Sequence, residues 1–477
     1  MSKLTRRRFL EDSLLAAAAA VPAVASAGTP ATKQADRVRV GVMGVRGRGR
    51  AHVKAFRDAP DSEVVAICDP DTAVIGPAME AVPDATYYRD IRAMLDDARI
   101  DAVAIAAPNH WHALATIWAL QAGKHVYVEK PISHTLMEGR AVMNAARRTK
   151  LVVQHGTQAR SQSATRQAMD WLHSGGIGRV TRARGLCYKR RESIGKVDAP
   201  INPPSTIDMN LWTGPARLEP IRRRQLHYDW HWVFNTGNGD IGNQGVHQMD
   251  IARWGLALDD HPRSVMSIGG RLGYDDDGET PNSQLVCYDF GPKEILFEVR
   301  GLKSGPYRTA HIGVVFTGEH GYLVSAAYNK VVAFDLDGNV TRTFTGGADH
   351  EHFQNFLDAV KAGRPDLVHA SVLDAHRSTA LCHLGNVSHL LGRSVALGSV
   401  DVPFHSASAN EAFDEMRDHL RSNGLDPDNT LVSVGATLAF DDALERVVGT
   451  NADEANTLLT RTYREPFVIA EELFQSA

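Results

Sequence analysis

Short, unbroken apolar runs punctuate the first part of the chain. RVRVGVMGV (Arg37 to Val45) is followed by SEVVAICDPD, DAVAIAAPNHWH and KHVYVEKP, each closed by glycine, proline or a charged residue. Between them lie stretches with apolar residues at helical spacing, from about Arg50 to Asp58 and again in HALATIWALQAG. Strands without polar alternation need cover on both faces, and strands alternating with helices imply right-handed crossovers. The pattern therefore predicts an α/β fold, with a doubly wound parallel sheet over residues 36–157.

From Val180 onward the period changes. SQLVCYDF, EILFEVRG and HIGVVFTGEHGYLVSAAYNKVVAFDLDG alternate apolar with polar, and Asp337-Gly338 marks a hairpin turn. This predicts a second α/β domain, residues 158–395, built on an open and mainly antiparallel sheet. HEHFQNFLDAVKAGR and DAHRSTALCHLGNVSHLLGR read as its amphipathic helices. An extension, residues 396–477, adds a helix in NEAFDEMRDHLRSNGL closed by Gly424; it either covers a sheet edge or contacts another subunit.

The first residues stand apart. A basic head, an apolar run rich in alanine and small residues before a cut after Ala27 make residues 1–27 an export signal, with a polar linker at 28–35. Thr5-Arg6-Arg7-Arg8-Phe9-Leu10 looks like a twin-arginine signal, which predicts a periplasmic or extracytoplasmic destination. The run is too short for a good membrane span, so none is expected in the mature form. At 477 residues two domains or more are expected, and a net charge of −4 leaves no footprint for nucleic acid. Cys68, Cys187, Cys287 and Cys382 lack metal-type spacing and are expected to be free, buried thiols.

GVMGVRGRGRAH follows the first strand and opens a helix, where backbone N–H groups and the helix dipole can hold a pyrophosphate. Gly44 and Gly49 fit the dinucleotide fingerprint, but Arg46 stands where a middle glycine is usual, with Gly47 beside it. Asp69 closes the second strand, where a carboxylate suits the ribose hydroxyls of NAD; Arg46 and Arg48 keep NADP open.

The glycine turn, APNHWHALATIWALQAGKHVYVEKP and GDIGNQGVHQMDIARW occur in order, and with them the chain resembles the glucose-fructose oxidoreductase / inositol dehydrogenase (Gfo/Idh/MocA) family over residues 36–395. The resemblance implies a Rossmann domain followed by an α/β domain that carries the substrate and often builds a homo-oligomer. It also implies hydride transfer between a carbinol carbon and nicotinamide. Glu129-Lys130-Pro131 matches the family motif, with Lys130 at the reacting hydroxyl, where a desolvated amine can take its proton or steady the alkoxide. His247, in HQMDIAR, matches the family's catalytic histidine; Asp250 and Arg253 read as a structural pair. A carboxylate is expected four residues before that histidine, yet Asn243 stands there, and Asp240 is the nearest substitute. Pro108, Asn109 and His112 match the segment beside the nicotinamide ribose, and Glu129 with Lys130 borders the cofactor. Tyr228, Trp230, His231 and Trp232 offer aromatic faces for a sugar. His110 and His112 lack partner Cys, Asp or Glu ligands, so no metal is assigned.

The implied function is an exported NAD(P)-dependent oxidoreductase acting on a sugar, polyol or glycoside, with tightly held cofactor. An NAD-dependent glycosidase or lyase working through a transient 3-keto sugar is the alternative, and a non-catalytic sugar-binding protein the second.

Overall fold

The computed structural model describes residues 37–475; the export signal and linker read from the sequence lie outside the described residues. The first sheet has the strand order β3-β2-β1-β4-β5-β6, formed by Val38–Met43, Ser62–Cys68, Thr86–Tyr88, Ala102–Ile105, His125–Val128 and Val153–His155 for β1 to β6. Every pairing in it is parallel. The strand order reverses between β1 and β4, which opens a crevice at their carboxyl ends. Both faces are covered, as the unalternated apolar runs require. Helices Asn109–Gln121 and Leu136–Thr149 bury one side, with Leu114, Ile117, Ala141 and Val142 in the core. Thr135 starts the second of these helices by a reciprocal cap: its hydroxyl accepts from the N–H of Glu138, whose carboxylate accepts from the Thr135 N–H.

The other face of this sheet is closed from far along the chain. Phe56 of helix Arg48–Asp58 meets Phe353 and Phe356 of helix Asp349–Ala362, and the Tyr127 and Phe353 rings stack 4.8 Å apart. A helix that the sequence assigns to the second domain thus completes the core of the first.

The second sheet has twelve strands. Its main path is β14-β13-β12-β11-β7-β10-β9-β8-β16-β15, where β7 is Val180–Cys187, β8 Ser264–Gly270, β9 Ser283–Asp289, β10 Glu294–Arg300, β11 Ile312–Gly318, β12 Gly321–Ala327, β13 Lys330–Phe334, β14 Val340–Thr345, β15 Arg393–Ala396 and β16 Leu431–Val434. Only β7 with β10 is parallel on this path. The expected doubly wound sheet and mainly antiparallel sheet are both present. Gly338 turns the β13–β14 hairpin at φ 87°.

The extension packs on its own chain in three ways. β16 continues the sheet beside β8, and helix Ala407–Ser422 lays Phe413, Met416 and Leu420 on Ile268, Leu285 and Leu296. Further on, Phe467 meets Trp111 and Trp118 at centroid distances of 5.6 and 6.2 Å, outside the first domain's core helices. β17 (Leu438–Asp441) and β18 (Arg446–Val448) form a hairpin whose turn carries Glu445. All four cysteines are free; three are buried, whereas Cys287 is half-buried.

Glu445 is the clamp of that hairpin. Its Oε1 accepts from His376 Nε2 at 2.7 Å and His261 Nε2 at 3.0 Å, and its Oε2 accepts from Arg140 Nε at 2.5 Å. Burial alone would raise its pKa, but the two histidine hydrogen bonds outweigh that and hold the carboxyl well below the usual range. A lowered folded-state pKa stabilises at neutral pH and loses that contribution as the carboxylate is protonated in acid. Glu445→Gln is expected to cost about 3 kcal/mol at pH 7, as for breaking a buried ion pair. The difference from wild type should shrink toward pH 3, measured by thermal unfolding across that range.

Candidate active site

A single cavity of about 510 Å³ runs from the glycine turn after β1 to the end of β5. At its first end, Gly44 holds φ 83°, where a Cβ would stand 2.8 Å from the backbone of Ala106; only glycine fits. Gly49 packs under the turn and would set a Cβ 1.7 Å from the Gly44 carbonyl oxygen. Gly47 lines the cavity, and a Cβ there would meet nothing within 4 Å. Helix Arg48–Asp58 starts at Gly47 with no side-chain cap, so its first N–H groups are left for a ligand. That is a cradle for a pyrophosphate, built without the middle glycine of the strict motif.

Asp69 lines the same end. Its Oδ2 accepts from the Val45 N–H at 2.9 Å and its Oδ1 from the Asp71 N–H at 3.0 Å, each oxygen keeping a lone pair for a ribose hydroxyl. Of the two arginines that kept NADP open, Arg48 donates from Nε to Glu129 at 2.9 Å and keeps its other guanidinium N–H groups at the cavity. Arg46 is exposed at the cavity.

The Glu129-Lys130 pair sits where β5 ends. Val128 is fully buried and the Glu129 N–H donates to Ile105 on β4, so the strand delivers the next two side chains into the crevice. Glu129 is buried and accepts from Arg48, from His52 Nε2 at 3.0 Å and from Gln158 at 3.4 Å. Burial would raise its pKa, but the His52 hydrogen bond and the Arg48 charge hold it well below the carboxylate range. Lys130 reaches the cavity and donates to the Asn243 backbone carbonyl and, at 3.2 Å, to its Oδ1. Desolvation pushes the Lys130 amine below its usual value, against the pull of Glu129 in the other direction. His112, buried, reaches the Ala107 carbonyl at 2.7 Å and the Pro131 carbonyl at 2.5 Å, and so ties the Pro108 loop to the lysine loop. Asn109 adds a second tie, donating to Asn238 Oδ1 at 3.0 Å, while Asn238 donates to the His134 carbonyl at 3.0 Å.

His247, on helix Gly245–Gly255, lines the cavity, and its Nδ1 is buried without a partner among the described residues. Burial, aided by the Lys130 charge, keeps it well below the usual histidine pKa, so it is a neutral imidazole. Asp240 does not support it: Arg191 occupies both of its oxygens, at 2.6 and 2.9 Å, and Asp240 lies off the cavity lining. Asn243 serves Lys130 instead. Asp250 and Arg253 do not pair directly. Asp250 takes the Arg160 guanidinium at 2.8 and 2.9 Å, and the Ser378 hydroxyl links it to Arg253.

Tyr228, Trp230 and His231 line the cavity, with the Trp230 and His231 rings stacked 3.6 Å apart. His231 donates from Nδ1 to the Tyr228 carbonyl at 2.5 Å and is pushed down to about 3 by burial. Trp232 is buried away from the cavity, under the Arg191 guanidinium at 5.2 Å. The structure adds Gln158 and Tyr328, whose ring lies 5.4 Å from that of His247. Tyr328 arrives on the β12–β13 turn, and no local motif announces it.

His110 Nε2 lies 3.0 Å from the Trp212 carbonyl, and burial pushes its pKa down to about 3. Among the described residues one metal-type donor set converges, His261, His376 and Glu445, and it is the hydrogen-bonded clamp described above.

The family model described as the oxidoreductase family, NAD-binding Rossmann fold, matches residues 38–157, and that of its C-terminal alpha/beta domain matches 178–423. A levoglucosan dehydrogenase of Pseudarthrobacter phenanthrenivorans is 31% identical over 229 residues, 46% of this chain and 51% of its own length. A glycosyl hydrolase family 109 protein of Shewanella pealeana is 34% identical over 173 residues, 31% of this chain and 38% of its own. The chain thus spans about half or less of the curated relatives it matches. Among solved structures, a levoglucosan dehydrogenase complex with NADH and levoglucosan aligns at TM-score 0.57 and 19% identity, over 73% of this chain and 96% of that one. The WlbA dehydrogenase of Bordetella pertussis with NADH and UDP-GlcNAcA aligns at 0.56 and 18%, over 73% and 95%. At such identities these two speak for the fold. With both domain models matched in order across the described chain, the protein belongs to the Gfo/Idh/MocA oxidoreductase family, with an NAD-binding Rossmann domain.

Proposed function

We propose that this protein is an NAD-dependent oxidoreductase of a sugar, polyol or glycoside, with Lys130 as proton acceptor and His247 as the neutral partner that orients the substrate oxygen. One observation carries the reading: the amine of Lys130 and the glycine turn with Asp69 share one cavity. When bound, the nicotinamide supplies the hydride acceptor. Lys130 Nζ would take the carbinol O–H proton as the carbon gives up its hydride. Two groups were candidates for that proton. The Lys130 amine, lowered toward working pH, suits the task, whereas His247, pushed far below it, is too weak a base. Asn243 aims the amine, and the Arg48–His52–Glu129 network fixes the strand end behind it. Trp230 and His231 offer a stacked face to a sugar ring.

The relatives named as glycosyl hydrolases favour a second reading, redox-neutral cleavage. There, oxidation at carbon 3 acidifies the carbon-2 proton, the leaving group departs by elimination, water adds, and the hydride returns. It uses the same lysine.

The N-terminal motif supports export by the twin-arginine route to the periplasm, with the cofactor already held tightly. A homo-oligomer is the assembly the resemblance implies. Helix Ala407–Ser422 covers the β8–β10 region, while the exposed edge strand β14 is open to another copy.

Lys130→Met is expected to lower kcat by roughly 10²–10⁴-fold on a responsive carbohydrate, with NAD affinity nearly unchanged. In wild type, kcat should rise with pH and level off below the value of about 10.4 usual for a free lysine, and the variant should lose that limb. Full turnover by the variant would remove Lys130 from the chemistry. The two readings separate in deuterated water. Net oxidation yields NADH and a ketone with no label at carbon 2, whereas cleavage yields labelled sugar and no net NADH. For export, replacing Arg6 and Arg7 by lysine should trap the precursor in the cytoplasm, read by cell fractionation. An unchanged periplasmic yield would exclude the twin-arginine route.

A further inference from the structure

Behind the loop that carries Lys130 lies a second cavity, of about 270 Å³, which shares no lining residue with the active-site cleft. Its wall is drawn from four separate segments: His134 before helix Leu136–Thr149, Arg217 and Asn235 from the connection after β7, Asn386 on helix Val372–Leu390, and Arg461 from the extension.

No acidic residue lines this cavity, yet two arginines and two histidines, His134 and His383, do. Arg461 is the telling one. Its guanidinium donates to His134 Nδ1 at 3.1 Å and to the Asn235 carbonyl at 3.1 Å, and it forms no ion pair among the described residues. The acids nearby are engaged. Glu138 takes the backbone N–H groups of His134 and Thr135, and Glu219 pairs with Arg217 at the rim. Glu138 supplies the main opposing charge from a distance, without a direct ion pair, so the guanidinium keeps N–H groups that no carboxylate meets among the described residues.

The neighbouring polar atoms extend the case. Guanidinium only donates, so His134 Nδ1 is the acceptor and its Nε2 carries the hydrogen. That Nε2–H is buried without a well-formed hydrogen bond, feeling only the Gly237 carbonyl. Asn386 spends its amide N–H on the Asn238 carbonyl at 3.0 Å and leaves Oδ1 buried and unpartnered among the described residues. His134 and Asn386 are 8% and 5% exposed. The cavity therefore presents cationic donors and, within its lining, one unpartnered acceptor, beside an apolar wall of Phe234 and Leu390.

We propose that this cavity is a second ligand site, separate from the catalytic cleft, for a small hydroxylated anion of the sugar-acid or sugar-phosphate class. The anionic group meets Arg461 and Arg217, a hydroxyl donates to Asn386 Oδ1, and the C–H face of the ligand lies on the apolar wall.

Calorimetric titration of the full purified protein with glucuronate, glucose 6-phosphate and inorganic phosphate, at constant ionic strength set by chloride, tests this. Saturable one-to-one binding of glucuronate or of glucose 6-phosphate is expected, and which of the two is tighter identifies the anionic group. Arg461→Gln should weaken it at least tenfold, whereas Lys130→Met should leave it unchanged. Arg217→Gln, at an exposed position, should weaken it severalfold and stands in should Arg461→Gln fail to fold. The site is refuted by no saturable binding of either hydroxylated anion up to 10 mM, by affinity indifferent to both arginine variants, or by loss in Lys130→Met, which would place the ligand in the catalytic cleft.

Discussion

A lysine amine taken partly out of water, at the end of a central strand, is the feature on which the active site depends. Desolvation lowers its proton affinity, and the ionised Glu129 next to it restores part of what is lost. The two effects pull the amine in opposite directions, and burial is the larger. The balance requires Glu129 to stay charged in a buried setting, which is the work of Arg48 and His52.

Those two residues belong to the helix that opens at the glycine turn. The helix that opens at the candidate pyrophosphate cradle thus also supplies Arg48 and His52, the hydrogen-bond partners of Glu129. Cofactor binding and lysine tuning are therefore parts of one piece of structure, and Phe353, brought by a distant helix, packs against His52 to hold it there.

Much of this was legible in the chain, and what was not has physical causes. The unalternated runs forecast the parallel sheet because a strand covered on both faces leaves no polar positions. The glycine turn, Asp69 and the Glu129-Lys130 pair are local in sequence, and each falls on the one cavity. Asp240 misled because distance along a helix says nothing about a competitor elsewhere in the chain; Arg191 claims both its oxygens. Trp232 misled because the run folds as a 3-10 turn, which leaves Trp230 and His231 on the cavity and sends Trp232 into the protein. Tyr328 and the packing of Phe353 on Tyr127 were out of reach, since both depend on contacts between segments far apart in sequence.

Asn238 gives the arrangement an unexpected economy. Its side chain holds Asn109 with one atom and the His134 carbonyl with another, while its own carbonyl receives Asn386. One amide thereby fixes the spacing between two loops that belong to different crossovers of the sheet. Such a joint couples the loops, so a displacement of one is carried to the other. A residue off the lining of the active-site cavity thus ties the loop of Asn109 to the loop that follows Lys130.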